Sequence, residues 1–126
     1  MIKVRIISHP FGFMKRIPDP EIDMMPSVME SISNGFYKKY KIFWATDEDK
    51  TVGWGVLYWP PKEKNSKFMV WTSKRHRGRG VASAIMRRAC RFSKKITVFV
   101  HDDNSSNFYK KMIRNFKSTK IIELIY

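Results

Sequence analysis

The sequence is poor in the residues that staple or anchor a chain. It has one cysteine, Cys90, so no internal disulfide can form, and a reducing, cytoplasmic setting is expected. Cys90 and three scattered histidines, His9, His76 and His101, show no zinc-ligand spacing. No long apolar run exists. The longest, Val52 to Pro61, falls far short of the ~18 residues a membrane helix needs, so no membrane partner is expected. Met1 to Ile7 alternates charge and hydrophobe, which reads as a strand rather than a signal peptide. Repeats and low-complexity segments are absent. Acid is scarce, with 11 Asp+Glu against 25 Lys+Arg and a net charge of +14. What remains is a 126-residue chain with 43% hydrophobic and 14% aromatic residues, enough for one domain over 1–126 with a real core.

The charge is uneven. Residues 1–73 carry 11 basic and 8 acidic residues, a net of +3, whereas residues 74–126 carry 14 and 3, a net of +11. Such a balance calls for an anion: a phosphorylated cofactor, nucleic acid or an acidic protein. A solvated basic surface is the plain alternative.

Period-2 alternation predicts strands over Lys3–His9, Lys41–Thr46, Val52–Trp59, Lys67–Ser73, Ile96–His101 and Lys120–Tyr126. Ser27 and Glu30 form a capping box that opens a helix. Asn34-Gly35 is its stop, with a resumption through Tyr40 left open. Asp47 to Lys50 is the polar tip of a hairpin. Val81 to Phe92 is a helix with Val81, Ile85, Ala89 and Phe92 on one stripe and Arg87, Arg88 and Arg91 outside. A last helix, capped by Asn104 or Ser105 and ending near Asn115, places Phe108, Met112 and Ile113 inward. Hairpins followed by a strand–helix–strand crossover give an α/β (α+β) fold on a mixed sheet.

Arg77-Gly78-Arg79-Gly80-Val81-Ala82 stands between a strand and the best helix. Two glycines there can expose backbone N–H groups. The helix N-terminus adds about half a positive charge. Together they suit a pyrophosphate, and Arg75, Arg77 and Arg79 add forked donors. No Gly-Lys-Ser/Thr ending and no Gly-x-Gly-x-x-Gly after the first strand are present, which argues against a nucleotide triphosphatase and a dinucleotide fold. A flexible basic loop touching RNA is the other reading.

Arg77-x-x-Gly80-x-Ala82 resembles the Arg/Gln-x-x-Gly-x-Gly/Ala hallmark of the GNAT superfamily of acyl-CoA N-acyltransferases. The hairpin with Val52-Gly53 upstream, and Ile96 to Val100 followed by Phe108-Tyr109 downstream, extend the likeness over roughly residues 40–117. The resemblance implies a GNAT-like sheet flanked by helices, acetyl-CoA as donor and an amine acceptor. It implies that Arg77, Gly78, Arg79, Gly80, Val81 and Ala82 hold the CoA pyrophosphate. Main-chain groups of Val70, Trp71 and Thr72 would pair with pantetheine in a slot between that strand and Ile96–Val100. Lys110, Lys111 and Arg114 would lie near the 3′-phosphate. Tyr109 matches the family's general acid. On its residues alone, Tyr109 is equally a packed aromatic, and Lys110 and Lys111 a solvated face.

Phe68 to Ser73 carries no acid where many relatives keep a base. His101 is a candidate base and equally an edge residue; Asp102 and an ordered water are the alternatives. Only one closing strand, Lys120 to Tyr126, is expected where relatives close with two. That leaves an open acceptor site or one completed by a partner chain, such as a second copy.

Overall fold

The computed structural model describes residues 1–7, 30–32, 34–100, 103–115 and 120–125. Its elements are β1 (Ile2–Ile7), β2 (Lys39–Asp47), β3 (Lys50–Trp59), β4 (Ser66–Thr72), α1 (Val81–Ala89), β5 (Lys95–Val100), α2 (Asp103–Asn115) and β6 (Lys120–Ile125). They build a six-stranded sheet in the order β1-β2-β3-β4-β5-β6. The first four strands form an antiparallel meander. β5 and β6 join in parallel, through crossovers that contain α1 and α2. The expected α/β sandwich on a mixed sheet is therefore present.

The predicted faces hold. Phe43, Ala45, Phe68 and Val98 lie in the core under α1 and α2. Ile42, Trp54, Val56 and Tyr58 form a second cluster with Ile32 on the opposite face. The β2–β3 tip is a two-residue turn in which Glu48 and Asp49 both have positive φ, 49° and 65°. That left-handed pair matches the twist of the flanking strands.

Two glycines in β3 bring α1 close. A Cβ on Gly53 would stand 2.7 Å from Val81 Cγ1 and 2.8 Å from the Trp71 carbonyl oxygen. One on Gly55 would stand 2.7 Å from Ile85 Cγ2. Val81 and Ile85 thus occupy the space where two side chains would be. The start of α1 is seated on β3 by this contact.

Several boundaries differ from the sequence-based expectation. The capping Ser27 lies outside the described residues. The helical turn at Glu30–Ile32 stops as predicted, with Asn34 N–H donating to the Glu30 carbonyl (2.9 Å) and Gly35 at φ +83°. No helix resumes through Tyr40. β2 starts at Lys39, because Tyr40 pairs with Tyr58 on β3 and Tyr37 packs its ring on Tyr58. α1 ends at Ala89, three residues before Phe92. Phe92 leaves the helical stripe, stays 39% exposed and packs against Phe43. α2 starts at Asp103, so Asn104 and Ser105 lie inside the helix rather than capping it. Its buried positions are Tyr109 and Met112, whereas Ile113 is 40% exposed.

Candidate active site

β4 and β5 pair over only three positions, Ser66–Ile96, Lys67–Thr97 and Phe68–Val98. Both strands continue beyond, to Thr72 and Val100, without pairing to each other. The sheet therefore splits at one end. Ser73 donates its N–H to the Val52 carbonyl on β3 (2.9 Å). By strand alternation, Val70 and Thr72 turn their backbone groups the other way, into the split. Trp71 turns its main chain to β3. Its ring stacks on Trp54 at 6.1 Å and 21°.

The motif predicted to hold phosphates closes the mouth of this split. A 3-10 turn at Lys74–His76 leads into it. Gly78 and Gly80 have φ of +80° and +84°, and a Cβ at either would meet nothing within 4 Å. Both therefore need glycine for conformation and face open space, as a ligand-approach surface requires. Gly80 is the N-cap of α1, with no side-chain cap and no acid in the first turn. Ala84 donates to the Gly80 carbonyl (3.0 Å), so the amides of Val81, Ala82 and Ser83 precede the first intrahelical bond. Arg75, Arg77 and Arg79 are exposed around the turn. Backbone donors, a helix dipole and exposed guanidinium groups thus share one stretch of chain, the combination that anion sites use.

An acid stands at its edge. Asp47, at the hairpin tip, forms an ion pair with the Met1 ammonium (2.9 Å). That hydrogen bond holds its carboxyl below the ordinary value against the opposing effect of desolvation, with the charges of the Met1 ammonium, His76 and Arg79 adding attraction. Sequence reading singled out neither Asp47 nor His76. Nothing in the linear order places a hairpin tip beside a loop some thirty residues later.

Tyr109 is buried in α2, 5% exposed, in the core cluster with Met112 and Ile96. Lys110, Ile113 and Arg114, with Asn107, line a shallow groove of about 560 Å³ on the outer side of α2. Lys111 is exposed beside it. His101 and Asp102 lie outside the described residues. Among the described residues no cluster of His, Cys, Asp or Glu could hold a metal ion, and no helix is long and apolar enough to cross a membrane.

A family model described as an acetyltransferase (GNAT) domain matches residues 32–112. The chain belongs to the GNAT acetyltransferases. Solved structures agree on the fold. An aminoglycoside acetyltransferase from an uncultured soil metagenomic sample superposes with TM-score 0.61 at 14% identity, covering 87% of this chain and 86% of that one. A predicted acetyltransferase from Clostridium acetobutylicum, solved with acetyl-CoA, gives 0.56 at 16% identity, covering 89% and 88%. A transcriptional regulator from Bacillus halodurans gives 0.57 at 16%, covering 89% and 91%. No curated protein matches the sequence.

Proposed function

We propose that the protein is an acetyl-CoA-dependent N-acetyltransferase acting by direct attack of an amine in a ternary complex. The observation that carries this is the β4–β5 split with the open Gly78–Gly80 turn at its mouth. These residues fit the cofactor: free backbone edge for an amide-bearing arm, and cationic donors for phosphates. When bound, acetyl-CoA supplies a thioester-activated acetyl group. The amides from Arg77 to Ala82 hold the pyrophosphate, and Arg77 and Arg79 neutralise it. Val70 and Thr72 offer N–H and C=O groups to the pantetheine amides, and one of these N–H groups polarises the reacting carbonyl. Trp71 keeps β4 seated on β3 by its stack on Trp54. Lys110 and Lys111 attract the 3′-phosphate. Tyr109 holds a proton on its phenol oxygen and donates it at the leaving sulfur, a task that suits a group protonated at neutral pH. The base is left to His101, Asp102 or water; holding an unprotonated amine in line supplies much of the rate by itself. The lone Cys90 fits a cytoplasmic setting.

Calorimetry with acetyl-CoA, followed by thiol release on a panel of amines, tests the reading. Micromolar binding and amine-dependent release of CoA are expected. No binding at that concentration would rule it out. A second reading, a basic nucleic-acid- or protein-binding module with little turnover, is favoured only by the size of the positive charge.

A further inference from the structure

Not all of the cations gather where the cofactor reading needs them. At the end of the sheet away from the split, strand register brings the start of β2, the end of β3 and the start of β4 together: Lys39 lies opposite Trp59, and Tyr58 opposite Lys67. α1 also ends there, handing over to β5 through Arg91 and Lys94. Lys62 and Lys64 project from the β3–β4 loop and are exposed. These come from both halves of the sequence, so the step in charge at Lys74 conceals the patch. Among the described residues none of Lys39, Lys41, Arg91 and Lys94 forms an ion pair. One acid, Glu63, stands 3.9 Å from Lys67 Nζ and opposes the patch.

Phosphates bound at the glycine turn do not reach this end. From Gly53 to Trp59 the strand covers roughly 20 Å at about 3.3 Å per residue. The nine residues of α1 cover about 13 Å. Both exceed a Debye length of about 8 Å at physiological salt. Phosphates at the turn therefore leave the charge of this patch unscreened, and it is open to a second anion.

Its chemistry follows from the rings among the cations. Lys39 Nζ sits 4.4 Å from the Trp59 ring centre, and Lys41 Nζ 5.1 Å from that of Phe92. Phe92 is 39% exposed. Rings interleaved with flexible ammonium groups suit a strand that carries both phosphates and unpaired bases. An acidic peptide would use the cations and leave the rings in water.

We infer that the closed end of the sheet, around Lys39, Trp59, Phe92 and Lys94, is a docking surface for single-stranded nucleic acid, separate from the acetyl-CoA mouth. The surface does not depend on acetyl transfer.

Fluorescence anisotropy with labelled oligo-uridylate and oligo-thymidylate of about 12 nucleotides tests it, since stacking grooves of this kind take sites of about that length. The wild-type protein is expected to bind, with affinity falling steeply between about 50 and 200 mM salt. The charge reversal Lys39→Glu/Arg91→Glu/Lys94→Glu should weaken binding at least about tenfold and lower the salt slope by about 2. Phe92→Ala should weaken binding several-fold with an unchanged slope, as loss of a stack does. Thermal unfolding of each variant serves as the fold control. If Phe92→Ala fails to fold, Phe92→Leu, which keeps the packing on Phe43 and loses the aromatic face, takes its place. A preference for uridylate over thymidylate would identify RNA, and the reverse DNA; either supports the surface. No binding at low salt overturns the proposal. So does equal affinity for poly-glutamate, or loss of binding on Arg77→Ala with none on the triple reversal.

Discussion

The two ends of the sheet are built from similar material and differ in backbone. At the mouth, cations surround a gap: β4 and β5 diverge, glycines hold φ that other residues avoid, and helix amides point outward. At the closed end the strands stay paired, and Ser66 Oγ bonds Ser93 Oγ (2.7 Å) and the Lys95 carbonyl (3.0 Å) to lock β4 to the α1–β5 turn. Cations there stand on a continuous surface with aromatic rings. Charge alone does not distinguish a pocket for a small phosphate ester from a face for a polymer. Free backbone donors do.

The strongest way to break the difference is to push α1 away from the sheet. Gly53→Ala puts a methyl 2.8 Å from the Trp71 carbonyl, which cannot yield. A loss of about 2–3 kcal/mol is expected from this overpacking, read by urea unfolding. An unchanged midpoint would remove the glycine contact from the account of the mouth. Tyr109→Phe should then cut turnover about a hundredfold, the scale of one general acid, with acetyl-CoA affinity intact. A rate equal to wild type would leave Tyr109 as a packed ring only.

Gly80→Val is the sharper probe of the mouth itself. Its Cβ meets no neighbour, so the fold bears only the backbone strain of φ +84°, on the order of 1–2 kcal/mol. Acetyl-CoA affinity, measured by calorimetry, should fall at least about tenfold, since bound phosphate would meet the side chain. Retained affinity would move the pyrophosphate elsewhere. The smallest effect belongs to Asp47. Its folded carboxyl titrates below the unfolded one, so its contribution is present above the ordinary carboxylate value of about 3.9 and is lost as pH falls through the folded value. Asp47→Asn should lower Tm slightly at neutral pH, and the gap from wild type should close in acid. A gap that persists there would mean that the ion pair with Met1 is not its source.

Much of this was readable in the sequence. Alternation separated Phe43 and Ala45 from Ile42 and Trp44 because each face of the sheet is covered by a different apolar cluster. The Arg77–Ala82 turn was readable because left-handed backbone and a helix start leave a glycine signature. Tertiary packing overrode the rest. Phe36 to Tyr40 was open to helix until Tyr58 fixed it as extended chain and strand. Phe92 fits a helical period yet is drawn off by Phe43. Ile113 is more hydrophobic than Tyr109, but Tyr109 faces the sheet. The basic patch was invisible in linear order because residues 38–41 and 62–67 meet 87–95 only after folding.

The three β4–β5 pairs have one more consequence. They are the short seam between two unequal sub-assemblies: the β2–β3–β4 part of the meander, whose strands are joined by short loops, and a parallel β5–β6 unit, joined through the longer α2 crossover. Small loops form first. The meander is thus the template on which β5 and β6 dock, late and through a narrow contact. A ligand lying along the split would bridge the same seam, and amide exchange in β5 and β6 would slow on binding more than exchange in β2 and β3.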